Sequence, residues 1–153
     1  MKSSSEDDEL KRAEEFKGKG NDFFKSKSQT RLTSIANKFD DAIEQYTEAI
    51  FCKIPNEKKA VYYCNRSIAR LRMEDYIGAL FDSLECIKLD NKNVKGYYRK
   101  GQAYVSMRKL KEAVDAFLMV CKLEPKNADA RSKYELTKKE YKAGLLAAAL
   151  HVD

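Results

Sequence analysis

An all-α chain of three helix hairpins closed by a seventh helix is the fold this sequence predicts, on three observations. Apolar residues recur at helical rather than alternating spacing through most of the chain. Gly (6) and Pro (2) are too scarce for a chain of short strands and tight turns. A pattern of small and aromatic residues also repeats: Gly20, Ser67 and Gly101 are equivalent when the copies are framed from Ala13, Ala60 and Val94. The second and third copies start 34 residues apart, a period that belongs to stacked helical hairpins.

Each element follows from that frame. Position 4 is an aromatic in every copy: Phe16, Tyr63 and Tyr97. Ala79 and Ala113 lie twelve residues after Ser67 and Gly101, and Ser83 and Phe117 four residues after those alanines. Small residues let two helices of a hairpin approach closely, while the larger ones fill the space beside them. AEEFKGKGNDFF and KFDDAIEQYTEAIF form the first pair, AVYYCNRSIARLRM and DYIGALFDSLECIKL the second, VKGYYRKGQAYVSM and LKEAVDAFLMVCKL the third. Pro125 closes the third unit and Asn91 stands where a proline would close the second. Asn127 is the expected cap of the last helix. The expected bounds are 13–59, 60–93 and 94–127 for the repeats and 127–150 for the capping helix, all in one domain over 10–150. The first unit carries an insertion near 26–38, read either as extra helical turns with a short loop, which is preferred, or as a mobile loop. Arg70 is unusual, because it occupies a packing position.

Composition narrows the function classes. The 153 residues give room for one sizeable core, with 43% hydrophobic and 35% charged residues. No apolar run reaches the roughly 18–20 residues of a membrane span, so no membrane contact is expected. The start, MKSSSEDDELKRAEE, has no apolar segment and resembles no targeting peptide; residues 1–9 are expected to be disordered. The net charge is +6, which favours acidic partners. No Lys/Arg run singles out nucleic acid, and helical repeats that read RNA should present one reader set per unit, which these do not. Cys52, Cys64, Cys86 and Cys121 match no zinc spacing and are read as reduced, buried thiols of a cytoplasmic protein. His151 is the sole histidine, so no metal or catalytic cluster is expected in this chain.

The first helices of the repeats have two distinct faces. At 100° per residue, packing positions 4, 8 and 11 point to roughly 20–80°, and positions 2, 5, 6 and 9 to roughly 140–240°. The second set lines the inside of the stack, the usual binding surface of such arrays. There the sequence places Lys17 and Asn21, then Cys64, Asn65 and Ile68, then Lys95, Tyr98, Arg99 and Gln102. Cations and amides converge on one wall, with Glu14 alone as an acid at its rim. The pattern calls for an anionic ligand. Tyr98 and Ile68 either seat ligand side chains or frame the groove, and Arg72 either adds a contact or is solvated. Tyr63, Tyr97 and Tyr104 are assigned to the core.

The 34-residue unit resembles the tetratricopeptide repeat, which implies a right-handed superhelix. Lys17-x-x-x-Asn21, Asn65 in YYCNRS and Lys95-x-x-x-Arg99 in KGYYRK resemble the dicarboxylate clamp of the chaperone-binding members. In that family the five residues grip the C-terminal Glu-Glu-Val-Asp tail of the heat shock protein 90 and heat shock protein 70 chaperones. The resemblance implies that Lys17, Asn21 and Asn65 hold the main-chain carboxylate. It assigns the side chain of the last Asp to Lys95 and Arg99; Ile68, Arg72, Tyr98 and Gln102 are candidates for an accessory groove by their positions alone. YYCNRSIARLR, LDNKNVKGYYRKGQAY and EPKNADARSKY are also similar to members joined to metal-dependent serine/threonine phosphatases. That likeness implies a regulatory and targeting domain, in the cytoplasm and also the nucleus, that contacts a phosphatase domain holding a pair of divalent metal ions. The alternative is an adaptor attached to no enzyme. The final Val152-Asp153 itself resembles such a tail and could dock in a neighbour's groove.

Overall fold

The computed structural model describes residues 3–25 and 32–151. Among these are seven helices and no strand: α1 (Ser3–Lys25), α2 (Leu32–Phe51), α3 (Asn56–Arg72), α4 (Tyr76–Leu89), α5 (Val94–Ser106), α6 (Leu110–Leu123) and α7 (Ala128–Leu150). The pairs α1–α2, α3–α4 and α5–α6 pack as hairpins, and α2 on α3, α4 on α5 and α6 on α7 join them in chain order. Helices α3 and α5 also touch directly, so the first helices of neighbouring hairpins form one wall.

One expectation changes. The acidic start is not disordered from Ser3 onward but forms the first turns of α1. Glu6 and the acids after it suit the positive end of the helix dipole. Glu9 also accepts the backbone N–H of Lys53 at 3.3 Å, pinning this turn to the end of the first hairpin. In the insertion, α2 already runs from Leu32, so its C-terminal part is extra helix; residues 26–31 lie outside the described residues, as do Val152 and Asp153.

The 34-residue period reappears in the joints. Asn93 and Asn127 cap α5 and α7, each side chain accepting the N–H three residues on, from Gly96 at 3.0 Å and Ala130 at 2.9 Å. Glu74 and Arg108 make the turns within the second and third hairpins at φ 61° and 60°, a left-handed conformation that glycine usually supplies.

Close approach is set at the predicted small positions. A Cβ on Gly20 would lie 2.7 Å from the Tyr46 ring, and one on Gly101 2.7 Å from the Phe117 ring. At the equivalent point of the second hairpin the hydroxyls of Ser67 and Ser83 meet at 3.0 Å. Gly101→Ala should therefore destabilise by about 1–3 kcal/mol through overpacking. Gly18→Ala, whose Cβ meets nothing within 4 Å, should stabilise by up to about 1 kcal/mol from helix propensity. Urea denaturation of the two variants checks the opposite signs.

Among the described residues the fully buried rings are Tyr46, Tyr62 and Phe117. Tyr63, Tyr97 and Tyr104, assigned to the core, are only half-buried. Tyr97 turns its hydroxyl out to the Asn91 carbonyl at 3.2 Å. The interfaces close on alanine and glycine, which leaves these rings at the edges. Arg70 fits its packing position by bonding, at 3.1 Å to the Gly78 carbonyl and 3.2 Å to Asp82. Asp82 is wholly buried and forms a two-pronged pair with Arg66, at 2.9 Å to Nε and 2.7 Å to Nη2. Arg66 Nη1 also donates to Thr47 of α2 at 2.9 Å. Helix α7 is anchored by buried Ala130 and Thr137, whereas Leu145, Leu146 and Leu150 are exposed. Among the described residues no helix is long and apolar enough to cross a membrane.

Candidate functional site: a cationic groove on the first helices

The groove is built from one face each of α1, α3 and α5. On α1, Asn21 is fixed from behind: the Tyr46 hydroxyl donates to its Oδ1 at 2.8 Å. The Asn65 amide of α3 reaches the same oxygen at 3.4 Å. With Oδ1 occupied, the Asn21 NH₂ is left to donate elsewhere. Lys17 lies one turn earlier, with its ammonium on Glu14 and 5.8 Å from the centre of the Tyr62 ring. Glu14 also accepts from the Tyr62 hydroxyl at 2.7 Å and from Lys58 at 3.4 Å. Burial opposes its ionisation, but Lys17, Tyr62 and Lys58 outweigh that and hold its pKa at about 2. Burial and the same carboxylate push the Tyr62 phenol up.

Two hollows adjoin along α3 and α5. Asn65, Cys64 and Lys95 line one of about 320 Å³, whose other walls include Val61 and Glu124. Glu124 here and Glu74 in the neighbouring hollow are further acids at the rim, missed in the sequence; Glu124 is occupied by the Asn127 amide at 2.8 Å. Ile68, Arg72, Arg99 and Gln102 line the other, of about 370 Å³. Arg99 Nη1 donates to Gln102 at 2.6 Å, while its Nε is buried without a partner. Burial pulls the pKa of Arg99 down, and nearby Arg72 adds to that. Among the described residues no carboxylate stands within ion-pair distance of Lys95 or Arg99.

The structure thus places Lys17, Asn21, Asn65, Lys95 and Arg99 on three adjoining helices, with Ile68, Arg72 and Gln102 beside Arg99. Tyr98 sits differently. Its ring packs edge-on against Phe117 of α6 with centroids 5.6 Å apart, and its hydroxyl donates to Asp129 of α7 at 2.7 Å. It bridges α5 to the last helices, with burial and Asp129 pushing its pKa to about 12. Cys64, also assigned to the inner wall, is almost wholly buried. Both occupy position 5, which points between the groove and the packing face.

A sequence profile of the tetratricopeptide repeat matches residues 94–127. The second tetratricopeptide domain of human RPAP3, solved in complex with an HSP70 peptide SGPTIEEVD, superposes with a TM-score of 0.70 at 31% identity, covering 85% of this chain and 98% of that one. This chain belongs to the tetratricopeptide repeat family. The first tetratricopeptide domain of Spaghetti (RPAP3), bound to an HSP90 peptide SRMEEVD, superposes with a TM-score of 0.75 at 28% identity, covering 87% of this chain and 95% of that one. The fold is therefore the helical superhelix of that family. Human serine/threonine-protein phosphatase 5 is 40% identical over 129 residues, which is 84% of this chain but 23% of that protein. The tetratricopeptide chain thus spans under a quarter of the length of that relative.

Proposed function

We propose that this tetratricopeptide domain is a carboxylate clamp for peptides ending in Glu-Glu-Val-Asp, the tail of heat shock protein 90 and heat shock protein 70 chaperones. The observation that carries the reading is the Lys95–Arg99 turn: two groove-facing cations with no ion-paired carboxylate among the described residues, one with a buried N–H left over. An incoming carboxylate bonds the groove-facing part of the Arg99 guanidinium and offsets the cost of holding it away from water. Lys95 and Arg99 take the side chain of the last Asp. Asn21, Asn65 and Lys17 take the terminal main-chain carboxylate, which must displace Glu14 from the Lys17 ammonium. The superposed domains bound to HSP90 and HSP70 peptides support this choice of ligand.

A clamp that reads the terminal carboxylate must distinguish a free acid from an amide. Calorimetry should find micromolar binding of the free-acid peptide, on the order of −7 to −9 kcal/mol, weakening with added salt. The C-terminal amide should bind at least ten-fold more weakly. Equal affinity for acid and amide would overturn the reading.

Likeness to phosphatase 5 supports a further reading, that the domain regulates and targets a metal-dependent serine/threonine phosphatase and contacts its catalytic domain. The same groove suits an adaptor joined to no enzyme. Metal-ligand motifs in the flanking coding sequence separate the two.

A further inference from the structure

Cys64 and Cys86 face one another across the α3–α4 hairpin. The register is fixed by Ser67 and Ser83, whose hydroxyls are 3.0 Å apart. The two helices run antiparallel, so three residues back on α3 and three forward on α4 give the next facing layer, which is Cys64 and Cys86. Both belong to one buried cluster with Ala60, at 2% and 0% exposure. Gly96 of α5 closes over them, since a Cβ there would lie 2.9 Å from Cys86 Sγ.

The two thiols have unlike surroundings. Cys64, only 2% exposed, is part of the wall of the hollow shared by Asn65 and Lys95, the side from which a small hydroperoxide would approach. Cys86 lies behind it. Hydrogen bonding from Cys86, together with the charges of Arg99 and Lys95, draws the Cys64 thiol down despite its burial. Cys86 is pushed up, by Cys64 and by burial. A thiol drawn down beside one pushed up is the arrangement of an attacking and a resolving cysteine. Cys52 differs: its thiol donates to the Glu48 carbonyl at 3.4 Å, and burial and Glu9 push it up.

We propose that Cys64 is an oxidation site for hydroperoxides and Cys86 its resolving partner, the product being a disulfide that ties α3 to α4. Cys64 gives up its proton and its sulfur attacks one oxygen of hydrogen peroxide; the O–O bond breaks, and hydroxide leaves and takes up that proton to become water. Cys64 is then a sulfenic acid, oxidised by two electrons. Cys86 gives up its proton and attacks the Cys64 sulfur; the S–O bond breaks and hydroxide leaves as a second water. Two thiols and one peroxide yield one disulfide and two waters. The site does not depend on which ligand the groove holds.

The test exposes the folded chain to hydrogen peroxide at neutral pH, blocks remaining thiols with iodoacetamide, and maps the digest without reductant. A Cys64–Cys86 cross-linked peptide, lost on treatment with dithiothreitol, is expected. In Cys86→Ser, dimedone should label Cys64; in Cys64→Ser, it should leave Cys86 unlabelled. The proposal fails if wild-type Cys64 and Cys86 are both recovered alkylated under conditions that oxidise the more exposed Cys121. It also fails if dimedone labels Cys86 in Cys64→Ser.

Discussion

Arg99→Glu should abolish detectable binding of a Glu-Glu-Val-Asp peptide, and Lys95→Ala should weaken it ten- to hundred-fold, with helical circular dichroism unchanged in both. A charge-assisted hydrogen bond to carboxylate contributes about 1.5–3 kcal/mol, which is the Lys95 loss. Arg99→Glu removes such a bond and places a like charge against the ligand, so its effect should exceed two orders of magnitude. A micromolar complex then weakens beyond about 0.1 mM. Folding should tolerate both changes. Lys95 is exposed and forms no ion pair among the described residues. Arg99 surrenders its bond to Gln102 and its place over the Tyr98 ring, 5.5 Å from the centroid, and already has one buried N–H without a partner. Arg72 lines the same hollow but is exposed, so Arg72→Ala should cost less than either. Undiminished calorimetric affinity in both principal variants would remove the clamp.

The groove was legible because the repeat frame is written in small residues that cannot be exchanged freely. Gly20, Ser67 and Gly101 sit where helices touch most closely, and once they are aligned the opposite face follows by rotation. Position 5 was harder. It lies between the two faces, so whether Cys64 and Tyr98 face solvent or a neighbour depends on α4, α6 and α7, which a single-helix projection does not contain. The N-terminal turns were misread for another reason. Acidic, serine-rich composition suggests a solvated tail, yet acids at a helix start are stabilised by the dipole, and Glu9 finds its partner 44 residues away on Lys53. The turns at Glu74 and Arg108 gave no signal, because neither uses glycine at its positive φ. Glu14 was seen as a rim acid, but its ties to Lys58 and Tyr62 of α3 were not visible.

The deepest feature that the sequence concealed carries the largest expected stability effect. Asp82→Ala should destabilise the fold by about 3–5 kcal/mol, because it strands a buried guanidinium without its counter-ion. Asp82 is fully buried and holds Arg66 through two bonds, at 2.9 and 2.7 Å, with Arg70 at 3.2 Å. Burial pushes the Asp82 carboxyl up while Arg66 and Arg70 pull against it, so removing the acid leaves the arginines' desolvation without compensation. Arg66 also reaches Thr47 of the preceding hairpin at 2.9 Å, so the pair fastens repeat to repeat as well as helix to helix. In a chain of this size, 1 kcal/mol moves Tm by roughly 2–4 °C, and a drop on the order of 10 °C is expected. Asp82→Asn should lose less, since the amide oxygen still accepts one guanidinium N–H. The decisive comparison is Arg66→Met combined with Asp82→Leu. If the single change is costly because it leaves a charge unpaired, removing both charges should recover much of the loss. If Asp82 instead matters through shape alone, the double variant should be no more stable than Asp82→Ala. Urea denaturation of the three variants distinguishes these outcomes, and a loss below about 1 kcal/mol in Asp82→Ala would contradict the assignment of this pair as the joint between repeats.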